Sequence, residues 1–172
     1  KDVITAGDGD NTITAGDGNN QVTTGRGDDT ITAGDGDNTI NAGSGDNTVT
    51  VGDGDNGLTL GNGDDTVTTG GTTTSATVMD VNTVGLGAGD DTFTGGAGRD
   101  VVTMGTGDDT VDTGAGADSI YASSFDADDV VNGGAGTDAL SSQVLTAAAT
   151  LAATGAQIQP VAEYVDLNPG AT

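Results

Sequence analysis

The amino-acid sequence predicts an all-β protein, a parallel β-solenoid in which two nine-residue units form each coil. Three observations lead to this prediction. The phrase that runs from Ala6 to Thr14, AGDGDNTIT in one-letter code, recurs with substitutions every nine residues over long stretches of the chain. The second and fourth places of most units are Gly, and the eighth place holds one large apolar residue. A strict period of this kind is typical of solenoid and repeat architectures.

The eighth place of the unit predicts the strands. One large apolar residue in nine forms a buried column, and because its neighbours are mostly Thr, each unit predicts a three-residue strand with one side chain inward and two outward. The Gly pairs turn the chain, since Gly reaches positive φ at little cost. Two units running in opposite directions complete an eighteen-residue coil, so that parallel strands pair between coils at ~4.8 Å. The eighth-place residues are Ile4, Ile13, Val22, Ile31, Ile40, Val49, Leu58, Val67, Phe93, Val102, Val111, Ile120, Val131 and Leu140.

Interruptions of the period divide the chain into four segments. The last of them is rich in Ala, Leu and Thr; residues 144–154 within it predict a short helix, the imperfect alternation of Val161, Tyr164 and Leu167 predicts a strand, and either would form a C-terminal cover. Because Lys1–Thr5 is the tail of a repeat, we expect this sequence to be a piece of a longer protein. The segments are a first block at 1–68, a degenerate coil or insertion at 69–85, a second block at 86–141, and a C-terminal cover or the start of a further module at 142–172.

The composition indicates that something other than a large apolar core stabilises the chain. Only 33% of the residues are hydrophobic and 2% aromatic, while 27 acidic residues face 3 basic ones, for a net charge of −24. The acid is almost entirely Asp, because Glu163 is the only Glu. Short carboxylates at fixed turn positions suggest oxygen ligands for a hard cation such as Ca²⁺. On the order of ten Ca²⁺ ions would neutralise about twenty of these charges.

The absence of Cys and His from the sequence excludes several classes of function. Without Cys or His, the chain has no disulfide, no zinc site of the usual kind, no thiol nucleophile and no imidazole base. We therefore predict that this segment is not an enzyme. The negative charge opposes nucleic-acid binding, and no apolar run approaches the ~20 residues of a membrane span, so neither a nucleic-acid partner nor membrane insertion is expected.

Two units carry a recognisable family motif. The sequences GGAGRDVVT from Gly95 and GGAGTDALS from Gly133 resemble the repeats-in-toxin (RTX) nonapeptide G-G-x-G-x-D-x-U-x. The resemblance extends over roughly residues 1–68 and 86–141. It implies a right-handed parallel β-roll that holds several Ca²⁺ ions between successive turns, with the sixth-place carboxylate and the turn carbonyls as ligands. In the second block it implies the ligands Asp91, Asp100, Asp109, Asp118, Asp129 and Asp138.

The first block departs from this motif, because most of its sixth places are Asn. Most units with Asn at the sixth place have Asp at the third place. The two units with Asp29 and Asp65 at the sixth place have Arg26 and Asn62 at the third place instead. Two hypotheses remain open: Ca²⁺ is still bound, because an Asn oxygen can ligate it weakly, or the Asn residues stack as a metal-free ladder while the Asp pairs point outward into solvent. On the first hypothesis the ligands of this block are Asp29, Asp65, Asn11, Asn20, Asn38, Asn47 and Asn56.

One side of the predicted coil carries a regular threonine pattern. Such Thr-x-Thr arrays resemble the ice-binding faces of solenoid antifreeze proteins, although Thr is also simply a favoured outward residue of strands. The paired residues are Thr12/Thr14, Thr30/Thr32, Thr48/Thr50 and Thr66/Thr68.

The order of segments at the end of the chain suggests a biological setting. A GGAGTD repeat, an Ala/Thr-rich stretch and a Glu-x-hydrophobic strand resemble a module of RTX-containing bacterial surface-layer proteins. The leading prediction is a calcium-binding structural segment of a secreted surface-layer protein that folds and assembles outside the cell. The alternative is the RTX segment of a type I secreted adhesin. Expected partners are further copies of the chain or neighbouring modules of its parent protein, with cell-surface polysaccharide as a further candidate.

Overall fold

The computed structural model describes residues 1–71, 80–123, 125, 128–142 and 150–151. Over these residues the chain is an all-β parallel solenoid of about seven coils, as the nine-residue period predicts. The described ranges contain no helix, and so none that is long and apolar enough to cross a membrane.

Two eight-stranded parallel sheets form opposite sides of the coil, and successive strands alternate between them. Sheet A consists, in spatial order, of β1 (Val3–Thr5), β3 (Gln21–Thr23), β5 (Thr39–Asn41), β7 (Gly57–Thr59), β9 (Val81–Gly85), β11 (Arg99–Met104), β14 (Ser119–Ala122) and β17 (Ala139–Ser142). Sheet B consists of β2 (Thr12–Ala15), β4 (Thr30–Ala33), β6 (Thr48–Val51), β8 (Thr66–Thr69), β10 (Thr92–Thr94), β12 (Thr110–Asp112), β15 (Val130–Asn132) and β18 (Thr150–Leu151). A separate two-stranded sheet pairs β13 (Ala115–Gly116) with β16 (Ala135–Gly136).

The register of the sheets confirms two units per coil. Ile13 pairs with Ile31 across β2 and β4, and equivalent hydrogen bonds recur at a sequence separation of 18. Around the first interruption the separation rises to 26, so residues 69–85 supply one turn and one strand with eight extra residues between Gly71 and Asp80. In a later coil the hydrogen-bonded residues Asp109 and Asp129 are 20 positions apart in the sequence. Both sheets continue in register after each longer coil.

Side chains along each strand point alternately into the core and out to solvent. In the unit that contains β4, Asp29, Ile31 and Ala33 are buried whereas Thr30 and Thr32 are exposed, so the sixth, eighth and following first places face inward. The eighth-place column is buried as predicted, except that Ile4 in the first strand is half-buried. The first place forms a second apolar column that the sequence reasoning did not anticipate, because many of its residues are small. Its buried apolar members are Ala15, Ala33, Ala42, Val51, Leu60, Leu86, Met104 and Ala122.

Part of the C-terminal prediction can be compared with the structure. Thr150–Leu151 lies within the 144–154 segment for which a short helix was one interpretation, and it forms strand β18 at the edge of sheet B, paired with β15. The rest of that segment and most of the predicted cover at 142–172 lie outside the described residues.

Candidate functional site

The sixth-place residues stack into two ladders along the two edges of the solenoid, one rung per coil. All thirteen predicted ligands lie in these ladders, and all of them except the half-buried Asn11 are fully buried. Ladder A precedes the strands of sheet A and consists of Asp2, Asn20, Asn38, Asn56, Asn82, Asp100, Asp118 and Asp138. Ladder B precedes the strands of sheet B and consists of Asn11, Asp29, Asn47, Asp65, Asp91, Asp109 and Asp129.

Hydrogen bonds between coils hold the side chain of each rung in place. The backbone N–H of Asp100 donates to Oδ1 of Asp118 at 2.8 Å, and that of Asp29 donates to Oδ1 of Asn47 at 3.0 Å. The backbone carbonyl of Asp29 accepts from the N–H of Thr48 at 2.8 Å. The side-chain oxygen thus supplies the acceptor that the sheet does not provide, which keeps the side chain turned inward.

The second carboxylate oxygen of most Asp rungs has no such partner. Within the described residues, the Oδ2 atoms of six buried Asp side chains make no hydrogen bond. Burying a charged oxygen without a partner is costly, so these atoms require a positive or donating neighbour. The six residues are Asp29, Asp65, Asp91, Asp100, Asp118 and Asp138.

Glycine at the first place leaves room beside two of these oxygens. A Cβ added to Gly95 would collide with Oδ2 of Asp100 and lie 2.6 Å from the carbonyl oxygen of Thr113 in the adjacent coil. A Cβ added to Gly133 would lie 2.8 Å from Oδ2 of Asp138. In the described part of the chain no three carboxylates converge on one point, so an ion there would need main-chain carbonyls as well. Carboxylate and carbonyl oxygens are the donor set that Ca²⁺ prefers, and these turns fit it.

The electrostatics of the Asp rungs favour a bound cation. Burial, together with the nearby charges of Asp109 and Asp65, raises the pKa of Asp91 to about 7. Burial also raises the pKa of Asp100 and of Asp109 to about 6, and it raises the pKa of Asp65 and Asp118. These carboxylates resist ionisation because each is desolvated and lies near other carboxylates: a rung of the same ladder for Asp91, Asp100, Asp109 and Asp118, and Asp46 and Asp64 for Asp65.

The Asn rungs behave differently at the same place. Nδ2 of Asn38 donates to the carbonyl oxygens of Gly34 and Gly36, at 3.0 and 2.8 Å, in its own turn. The side-chain amide therefore contacts the carbonyls that the resemblance assigns to an ion. Nδ2 donates to at least one turn carbonyl in Asn11, Asn20, Asn47 and Asn56 as well.

Asp residues at the third and fifth places face outward and link the coils. Oδ1 of Asp35 accepts the backbone N–H of Asp53 at 3.0 Å, and Oδ1 of Asp46 accepts that of Asp64 at 2.9 Å. These four residues are exposed or half-buried. They satisfy backbone donors of the next coil and lie outside the two ladders.

The sequence reasoning missed one rung. Asn82 is fully buried in ladder A, accepts from Nδ2 of Asn56 at 3.0 Å and donates to Oδ1 of Asp100 at 2.8 Å. Its signal was the run of Asn82, Thr83 and Val84, which keeps the residue types of places six to eight. The eight extra residues of the first interruption shift this run out of register with the nine-residue period, so the period does not identify Asn82 as a sixth-place residue.

Comparison with known proteins settles the family. The model of the RTX calcium-binding nonapeptide repeat matches the chain in four copies, over residues 1–31, 32–67, 86–111 and 103–140. The chain belongs to the RTX family. No curated protein and no solved structure matches it. RTX repeats bind calcium and occur in secreted proteins, so this RTX chain is a calcium-binding structural repeat region.

Proposed function

We propose that this chain is a calcium-folded structural segment of a secreted bacterial surface protein, and that its role is mechanical and architectural rather than catalytic. The supporting observation is the row of buried Asp rungs whose Oδ2 atoms have no hydrogen-bond partner. In water, a net charge of −24 repels itself and opposes the compact state. Calcium bound at the rungs removes this repulsion and supplies the missing partner of each oxygen.

The same dependence suits folding outside the cell. Where free calcium is scarce, the Asp rungs of the second block lack a counter-charge, and this block favours extended states of the kind that can pass through an export channel. Where calcium is abundant, binding adds its free energy to that of folding. We propose an extracellular, cell-surface location on this ground.

Calcium binding itself is tested by titration calorimetry of the chain with CaCl2, and with MgCl2 as the control cation. We expect several Ca²⁺ ions per chain and much weaker binding of Mg²⁺, because Mg²⁺ demands a smaller octahedral site and gives up its water reluctantly. Binding of neither ion, or equal binding of both, contradicts the proposal.

We further propose that the parent protein is a surface-layer protein in which the solenoid assembles with copies of itself or with neighbouring modules, and that cell-surface polysaccharide is an additional partner. An RTX segment of a type I secreted adhesin is the alternative. The support is the sequence resemblance of the GGAGTD repeat and the stretch after it to surface-layer modules. Electron microscopy of the parent protein in calcium distinguishes the two, since a surface-layer protein forms two-dimensional sheets and an adhesin forms isolated fibres.

A second candidate function is ice binding by the threonine face of sheet B. Its support is that Thr12, Thr30, Thr48, Thr66 and Thr92 pair in register across five strands, and all five are exposed. A second column runs parallel to it, two residues further along the same strands: Thr14, Thr32, Thr50, Thr68 and Thr94.

Ice-growth microscopy tests this candidate. Thr50→Lys breaks the centre of the array and should abolish any shaping of ice crystals, whereas Thr39→Lys on sheet A should leave it unchanged. If the unmodified chain in calcium leaves ice growth unaltered, the threonines serve only as outward strand residues.

A further inference from the structure

Ladder A changes chemistry part-way along the solenoid. Its buried rungs are Asn from Asn20 through Asn82, and they are Asp from Asp100 onward. We infer that the amide rungs bind no calcium, because the side-chain –NH2 group takes the role of the ion, and that calcium binding along this edge begins at Asp100. The inference rests on the proposed calcium-binding function and adds to it a boundary: the first block keeps its fold without calcium.

The hydrogen bonds of the amide rungs are already complete. Nδ2 of Asn56 donates to the carbonyls of Gly52 and Gly54 at 3.2 and 3.0 Å, and to Oδ1 of Asn82 at 3.0 Å. Asn38 makes the same three kinds of contact one coil earlier. A cation that approached these carbonyls would have to displace an amide that donates to both of them. The amide nitrogen cannot replace the lost ligand, since it is a donor with no acceptor capacity.

The amide cannot simply turn over to offer its oxygen to an ion. Oδ1 of Asn38 accepts the backbone N–H of Asn20 at 3.1 Å, and Oδ1 of Asn56 accepts that of Asn38 at 3.1 Å. A flipped amide would set –NH2 against a backbone N–H and the oxygen against two carbonyls. Hydrogen bonds at both the oxygen and the nitrogen therefore fix the orientation of the amide.

Asp residues at the third place take part in the same hydrogen-bond pattern as the amide rungs. Oδ1 of Asp17 accepts the third-place N–H of the next coil, that of Asp35, at 3.2 Å. In the carboxylate turns of ladder A, the third-place N–H of Ala115 donates instead to the second-place carbonyl of Gly96 at 2.9 Å. Asp at the third place thus provides another acceptor for this N–H and leaves the second-place carbonyl to the amide. This exchange explains why the sequence pairs Asp at the third place with Asn at the sixth.

The consequence is a solenoid with a calcium-independent part and a calcium-dependent part. On ladder B the first block keeps two Asp rungs, Asp29 and Asp65, whose Oδ2 atoms lack a partner; Oδ1 of Asp29 accepts from both the backbone and the side chain of Asn11, at 2.8 and 3.0 Å. In a solenoid each coil contacts only its neighbours. The folded first block therefore offers an edge on which the calcium-bound coils can form.

Hydrogen exchange of the whole chain, with EDTA and then with CaCl2, tests the boundary. We expect the amides of β3, β5 and β7 to stay protected in EDTA, and those of β14 and β17 to gain protection only with calcium. If chelation exposes β3, β5 and β7 together with the later strands, the inference fails while calcium binding stands. If calcium changes protection nowhere, the proposed function fails, and the inference fails with it.

Two opposite substitutions test the amide rungs directly. Asn38→Asp places an oxygen against the carbonyls of Gly34 and Gly36, so protection of β5 in EDTA should fall about tenfold or more and return with calcium. Asp118→Asn should do the reverse at β14, raising protection in EDTA and lowering the calcium bound by about one ion per chain. Asp55→Asn is the control: it removes the same charge from an exposed fifth place and keeps the acceptor for Val81 N–H. Bound calcium that Asn38→Asp leaves unchanged, or that Asp55→Asn lowers as much as Asp118→Asn, overturns the inference.

Discussion

Without calcium, mild acid should stabilise this chain, opposite to the usual acid denaturation. Burial raises the pKa of Asp91 to about 7 and those of Asp100 and Asp109 to about 6, from an ordinary value of 3.8. Between these values the folded chain keeps protons that the unfolded chain has released. The contribution of these groups to the free energy of unfolding is therefore fully present below about pH 4 and is lost as the pH rises through 6 and 7.

The size of the effect follows from proton linkage. Each group that is protonated when folded and ionised when unfolded adds a slope of about 1.4 kcal/mol per pH unit. Asp91 and Asp109 are neighbouring rungs of ladder B, and the charge of Asp109 raises the pKa of Asp91, so their contributions are not simply additive. We expect the free energy of unfolding to fall by at least about 1.4 kcal/mol per pH unit, the value for one proton, between about pH 5.5 and 6.5.

Urea denaturation followed by circular dichroism, in EDTA and at constant ionic strength, measures this slope. Asp91→Asn removes a buried titrating group and should make the slope shallower. Asp90→Asn is the matched control, because Asp90 is exposed and an Asn oxygen can still accept the N–H of Asp108. Stability in EDTA that rises with pH across this window, or a slope that Asp91→Asn leaves unchanged, would refute the reasoning.

Three further predictions address calcium binding, the core and the turns. Calcium binding near pH 6 should release protons from the buried rungs, which calorimetry in buffers of different ionisation enthalpy detects; equal heats in all buffers would contradict this. Phe93→Ala, in the middle of sheet B, should lower the free energy of unfolding by about 3–5 kcal/mol, against less than about 0.5 kcal/mol for the exposed Thr92→Ala, in urea denaturation with CaCl2 in place of EDTA. Gly43→Ala should lower the thermal midpoint because Gly43 has φ +79° and a Cβ would collide with the carbonyl of Gly25, whereas Gly57→Ala, with open space around it, should leave the midpoint equal or higher.

Much of the fold follows from the period alone. A single large residue such as Ile31 or Val67 in every nine predicts a buried column, and two units per coil predict the parallel pairing at 18 that the sheets confirm. The first-place column was missed because Ala33 and Ala42 are too small to stand out beside it, although Leu86 and Met104 fill the same position. Small residues carry little hydrophobic signal even where they are completely buried.

The site could be predicted only in part. The positions of the carboxylates follow from the repeat, and the structure places Asp100 and Asp118 on consecutive rungs as expected. The function of an Asn at the same position depends on which way its amide points. That direction is set by a backbone N–H one coil away and by carbonyls of its own turn, as Asn38 illustrates. Contacts of this kind join residues that the sequence separates by a whole coil, so the sequence alone left both hypotheses open.

Coils that contact only their neighbours also determine how the chain responds to force. The hydrogen bonds between coils run along the axis of the stack, so a pull along that axis loads one pair of coils at a time and peels the solenoid from an end. Each ordinary coil of eighteen residues would release about 60 Å of extended chain, whereas the coil of 26 residues would release about 90 Å. A surface protein that contains such a segment can lengthen in steps while its remaining coils stay folded.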